Sequence, residues 1–255
     1  MAARITAYAV GAACTVAVGV WVWQRYRKEK KRPDKVVFAI TGFGKFGGVD
    51  NNPTEVLVKA LPSFMRSNPL GKNATIDRCQ ILEVSGQGAK EGLEDIRNTV
   101  FQSAGQQRVW LHLGVDANAK TFKLEKCAWN EAKFRIADER GWEPKDECIV
   151  ADEKKGARLQ TSLPLSSLCS NLKKKGYRVE VSRDPGRFVC NWLYFLSLKT
   201  CASNKAPMPG VESDHVSWED SLFVHVPPFE ACDSAQQIAF VRELMMTLGD
   251  LLCVG

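Results

Sequence analysis

From Val36 to Leu252, apolar runs of strand length alternate with amphipathic stretches of helix length. That alternation restricts the chain to α/β architecture, with a mostly parallel central sheet covered by helices. The strand candidates are Val36–Thr41, Thr75–Val84, Arg108–Gly114, Phe122–Trp129, Tyr177–Ser182 and Ser221–His225. The helical candidates are Thr54–Met65, Ala89–Ser103, Leu165–Lys175, Phe188–Thr200 and Ala235–Leu252. Gly141–Gly156 and Ser203–Asp220, rich in Gly, Pro and charge, read as loops. Neither an internal repeat nor a second composition regime interrupts the pattern, so residues 34–255 are expected to form a single domain.

The first 33 residues follow a different rule. Ile5–Trp23 is an uncharged run of nineteen residues, which as a helix would reach about 28 Å, close to the hydrocarbon thickness of a bilayer. Trp21, Trp23 and Tyr26 follow at interfacial depth. Basic residues lie mostly behind the run, the reverse of a cleaved signal peptide. The expectation is one N-terminal transmembrane helix with a basic flank over residues 1–33. The positive-inside rule then places the following domain in the cytosol, on a single-pass membrane protein. Residues 1–33 hold Arg4, Arg25, Arg27, Lys28, Lys30, Lys31 and Arg32 against Glu29 alone, so the whole formal charge of +6 sits there. Residues 34–255 balance to zero and carry no electrostatic footprint for nucleic acid. The nine cysteines include no CxxC pair, which argues against a zinc ribbon or a thioredoxin-type motif. Free thiols in a reducing compartment are expected.

In α/β sheets, sites gather beyond the carboxyl ends of strands, and four such ends carry unusual chemistry. Thr41-Gly42-Phe43-Gly44-Lys45-Phe46-Gly47-Gly48 puts two phenylalanines in a glycine loop. They either wall a flat, uncharged group or pack the loop down. In Thr121–Asn130, Glu125 and Cys127 share a face by period-two alternation. A carboxylate there either orients a histidine or stays exposed in a salt bridge. Val181–Trp192 turns through Pro185-Gly186 into a helix whose first turn holds Cys190. Unpaired amides and the macrodipole at a helix start favour a thiolate, although a helical cysteine is also a small buried hydrophobe. Phe223-Val224-His225-Val226-Pro227-Pro228 ends a strand on His225. Of the other two histidines, His112 lies inside an apolar strand and His215 in a polar loop, which leaves His225 the best placed for proton transfer.

These four segments, in this order, resemble the pyroglutamyl-peptidase I (pyrrolidone-carboxylate peptidase) family of cysteine peptidases. That family opens on a TGFxxFGG motif, carries Glu in an LExxAxN-like strand and SxDxGxxxCN around its nucleophile, and ends on HVP. Arg135-Ile136-Ala137-Asp138 through Gly141 and Pro144 fits the family spacing as well. The resemblance covers about Val36 to Leu252. It implies a peptidase that removes pyroglutamate from peptide N-termini, with Cys190 as nucleophile, His225 as general base and Glu125 as the acid that orients it. It further implies that Phe43 and Phe46 sandwich the pyroglutamyl ring and that neither metal nor organic cofactor is needed. Lys45 and Pro185 depart from the family pattern. Cys127 is the rival nucleophile, and a membrane-anchored pseudopeptidase that binds pyroglutamyl peptides without turnover is the rival function.

Overall fold

The computed structural model describes residues 32–47, 51–100, 103, 105–205 and 218–253. A six-stranded sheet is the frame: β1 (Lys35–Phe43), β2 (Ala74–Leu82), β3 (Gln106–Val115), β4 (Phe122–Glu125), β9 (Val179–Ser182) and β10 (Trp218–Val226). Its order is β2-β1-β3-β10-β4-β9. All neighbours pair in parallel except β10 and β4, which run antiparallel. Five helices cover it among the described residues: α1 (Pro53–Ser67), α2 (Gly86–Thr99), α3 (Leu165–Lys174), α4 (Val189–Lys205) and α5 (Ser234–Leu252).

The strand alternation sorts side chains to two faces. On one face, Val36, Phe38 and Ile40 of β1, Leu111 and Leu113 of β3 and Val224 of β10 pack against α1, α3 and α5. On the other, Ala39, Trp110 and Phe223 meet Leu93 and Ile96 of α2 and Leu193, Tyr194 and Phe195 of α4. Each fully buried Val, Leu, Ile or Phe among them stabilises the fold by roughly 1.5–3 kcal/mol. The central strands β1, β3 and β10 are buried on both faces, which is why they read as continuous apolar runs.

The expected α/β architecture is the one observed, with two differences in detail. Phe122–Trp129 is not one strand. The chain turns at Lys126, and β5 (Cys127–Trp129) leaves the main sheet to pair with β8 (Arg158–Gln160). The loop expected over Gly141–Gly156 holds β7 (Lys145–Glu147), paired with β6 (Ala132–Lys133).

The membrane helix requires a larger correction. Among the described residues no helix is long and apolar enough to cross a membrane. The longest, α5, spans nineteen residues but carries Arg242, Glu243 and Asp250, charges that are expensive to place in hydrocarbon. Ile5–Trp23 lies outside the described residues, and so does His215. The single-pass, cytosol-facing localisation rested on that helix and is withdrawn with it.

Candidate active site

The glycine loop after β1 is fixed from α1. Asn52 caps α1 by accepting from the Thr54 amide at 3.0 Å, and its Nδ2 donates to the Gly44 carbonyl at 2.9 Å. The Phe43 amide donates to Thr54 Oγ1 at 3.0 Å. A Cβ on Gly42 would lie 2.6 Å from the Thr54 carbonyl oxygen, so only glycine lets strand and helix approach this closely. At the far end of the turn the Gly47 amide donates to Glu139 Oε1 at 3.0 Å, and Gly47 has φ +56°.

Cys190 is the second residue of α4. The Trp192 amide donates to the Phe188 carbonyl, so the amides of Val189, Cys190 and Asn191 precede the helical ladder. Asn191 anchors this helix start. Its Oδ1 accepts from the Trp129 amide at 2.8 Å, and its Nδ2 donates to the carbonyls of Trp129 and Glu131, both at 2.9 Å. The cysteine sulfur then sits over β3, where a Cβ on Gly114 would come within 3.1 Å of it and 2.7 Å of the Phe223 ring. Gly114→Ala is therefore expected to displace both groups. It should lower stability by about 1–3 kcal/mol through overpacking and cut turnover roughly 10–100-fold through misplacement of the sulfur. Thermal unfolding and steady-state kinetics check the two effects separately.

His225 and Glu125 are diagonal neighbours across the antiparallel β10–β4 pair, in which Phe223 faces Glu125 and His225 faces Lys123. His225 Nδ1 donates to Glu125 Oε1 at 2.8 Å, since a carboxylate only accepts. That leaves Nε2 for Cys190, whose side chain lies near enough to raise the proton affinity of the imidazole. Glu125 is fully buried, and its Oε2 has no hydrogen-bond partner in the protein. Burial, the largest influence on His225, favours the neutral ring. Cys190 and Glu125 together outweigh it and hold the imidazolium up to about 10. A histidine whose proton is held more firmly folded than unfolded stabilises fully below its ordinary value of 6.5, and that stability is lost as pH rises through about 10. Denaturation of wild type and His225→Gln at pH 6 and pH 10 should show the wild-type advantage shrinking between the two. A constant difference would contradict the assignment.

Phe43 is buried and packs toward Phe223, ring centroids 6.5 Å apart. Phe46 is half-buried on Phe188 at 5.2 Å, and that contact continues through Phe134 to Trp142 and Trp192. The two phenylalanines thus stand at opposite ends of the glycine turn, each backed by aromatic packing. Cys127 is placed differently from Cys190. Its sulfur donates to the Arg183 carbonyl at 3.1 Å, and burial pushes its thiol up. His112 is fully buried between Thr41 Oγ1 at 2.7 Å and Ser197 Oγ at 2.9 Å. Burial and the Arg97 charge lower it to about 3, so it stays a neutral core residue.

Sequence reasoning did not single out the residues that hold these groups in place. Besides Gly114 and Asn191 they include Asn130, whose amide ties the 150–154 loop, and Asp138. The Asp138 carboxylate accepts from the amides of Gly86, Arg140 and Trp142 at 2.8–2.9 Å. Asp138 was visible only as part of a motif spacing. The eight cysteines among the described residues are free thiols, and no group of His, Cys, Asp or Glu among them has metal-binding geometry.

Comparison with known proteins points the same way. Pyrrolidone-carboxylate peptidase of Pyrococcus furiosus is 28% identical over 190 residues, 74% of this chain and 79% of that one. Pyroglutamyl-peptidase 1 of Homo sapiens is 26% identical over 225 residues, 87% of this chain and 93% of its own. The crystal structure of pyrrolidone carboxyl peptidase from Fervidobacterium islandicum superposes with a TM-score of 0.66 at 25% identity, covering 84% of this chain and 98% of that one. The family described as pyroglutamyl peptidase matches residues 35–227. With that match running from the first residue of β1 to the first proline after β10, the chain belongs to the pyroglutamyl peptidase family.

Proposed function

We propose that this protein hydrolyses the amide bond after an N-terminal pyroglutamyl (5-oxoprolyl) residue, using Cys190 as nucleophile, His225 as general base and Glu125 to orient the imidazole. The observation that carries the reading is the buried hydrogen bond from His225 to Glu125, beside a cysteine in the first turn of α4 that raises the proton affinity of the same imidazole. An imidazole that holds a proton this firmly is a capable acceptor for the thiol proton. The resulting thiolate attacks the pyroglutamyl carbonyl carbon. The amides at the start of α4 donate to the oxyanion as it forms. When the tetrahedral intermediate collapses, the C–N bond breaks and His225 returns its proton to the leaving amine. Water, deprotonated by His225, then cleaves the thioester, releasing pyroglutamate and restoring the thiol.

A lactam carries no charge, so its recognition falls to apolar walls and a few hydrogen bonds. Phe43 and Phe46, one at each end of the glycine turn, supply the walls in this reading. The test compares three peptides identical except for an N-terminal pyroglutamate, glutamine or proline, incubated with the full chain and analysed by mass spectrometry. Release of pyroglutamate from the first alone is expected. Equal trimming of all three would remove the substrate assignment, and cleavage of none would remove the peptidase reading.

A further inference from the structure

The order of the sheet sets the direction in which a substrate lies. Phe43 ends β1, the Cys190 sulfur stands over Gly114 of β3, His225 belongs to β10, and Glu125 belongs to β4. In space these strands follow one another as β1-β3-β10-β4. With the acyl group held at the β1 end and the leaving amine protonated by His225, the rest of the peptide passes beyond His225 toward β4.

One ion pair waits there. Lys123 is two residues from Glu125 on the same face of β4 and directly opposite His225. Because β4 runs antiparallel, Lys123 is nearer than Glu125 to the carboxyl edge of the parallel strands. Asp116 follows the last residue of β3 on the face of His112 and Gly114. Lys123 Nζ donates to Asp116 Oδ2 at 2.7 Å, and both side chains are between a quarter and a third exposed (29% and 27%). Asp116 is itself fixed: its Oδ1 accepts from the Asn118 amide at 3.0 Å and its own amide donates to the Val226 carbonyl at 3.1 Å. Burial works against its charge, but the Lys123 hydrogen bond, the Asn118 amide and the Lys123 and His225 charges keep its carboxyl below the usual range. An ammonium has three donors, and Asp116 takes one. The remaining donors lie on a half-open cation whose direction is set by a rigid partner.

We propose that Lys123, positioned by Asp116, binds the acceptor oxygen of the residue that follows pyroglutamate, and binds it best where that oxygen is a free C-terminal carboxylate. The proposal deepens the peptidase reading and rests on it. It makes pyroglutamyl dipeptides favoured substrates, because a carboxylate in that position gains a charge-assisted hydrogen bond that a carbonyl receives only in weaker form.

The test is steady-state kinetics of the full chain and its Lys123→Met and Lys123→Arg variants. The three substrates are pyroglutamyl-alanine, pyroglutamyl-alanine amide and pyroglutamyl anilide, whose leaving amine carries no acceptor oxygen. Lys123→Met is expected to lower kcat/KM for the dipeptide about tenfold, the scale of one charged hydrogen bond, mostly through KM. The amide should lose less and the anilide should stay within about twofold. Lys123→Arg should keep the order of preference. An equal loss on all three would show that Lys123 acts only through Glu125 and His225, and no loss on the dipeptide would show that it does not touch substrate. Either result overturns the proposal. Wild type that cleaves none of the three defeats the peptidase reading itself, an outcome distinct from both.

Discussion

Cys190→Ala should lose essentially all turnover of pyroglutamyl substrates, roughly 10⁴-fold or more, while remaining folded and still binding them. No other group described here takes over the attack. Cys127, close in sequence to Glu125, donates its sulfur proton to the Arg183 carbonyl, and burial pushes its thiol up, so it is protonated and occupied. Cys190 is only half-buried, and removal of its sulfur leaves the α4 anchor at Asn191 intact. Stability should therefore change little. Turnover, calorimetric binding of a pyroglutamyl peptide and thermal unfolding of the variant form the check. Substantial residual turnover would transfer the nucleophile to another thiol. Loss of binding together with turnover would mean that the substitution disturbs the pocket as well as the chemistry.

Glu125→Gln is expected to give the second-largest loss, roughly 10²–10⁴-fold in kcat with KM little changed. The carboxylate accepts the Nδ1 proton of His225 from a fully buried position, and its Oε2 is engaged by nothing else in the protein. An amide of the same shape keeps one acceptor but withdraws the charge that helps His225 hold its proton. The imidazole is also free to present the wrong tautomer to Cys190. The raised His225 value should fall toward the ordinary histidine range, which a ring-proton NMR titration reads directly. A variant with full activity and an unmoved titration would show that Glu125 serves the fold alone.

Much of this arrangement was legible in the sequence because it follows local rules. Val36–Thr41 and Ser221–His225 announced strands through apolar runs, and α1 to α5 were visible from their helical periodicity with boundary shifts of a few residues. Cys190 was placed in a first helical turn by the Pro185-Gly186 turn ahead of it. What stayed hidden depends on partners distant in the chain. Phe122–Trp129 keeps an unbroken strand pattern, yet the Lys126 amide still bonds Ser182 while its carbonyl accepts from Thr161, so the chain changes partners at that residue. The period-two rule that put Glu125 and Cys127 on one face does not survive that switch. Hairpin β6–β7 is too polar and short to stand out from a loop. Asp116 and Lys123 are separated by a turn and read as unremarkable surface charges until β4 folds back beside β10. Gly114 looked like the end of a strand, and only the Phe223 ring and the Cys190 sulfur lying over it explain why that position has no side chain.

The most direct test of the account is covalent labelling of the full chain with a pyroglutamyl chloromethyl ketone, a thiol-alkylating electrophile that lactam recognition directs to the nucleophile beside the pocket. The expected result is inactivation in step with one adduct per chain, mapped by peptide mass spectrometry to Cys190 and slowed by a pyroglutamyl peptide. An adduct on Cys127 or another thiol, or complete inactivation without modification of Cys190, would contradict it.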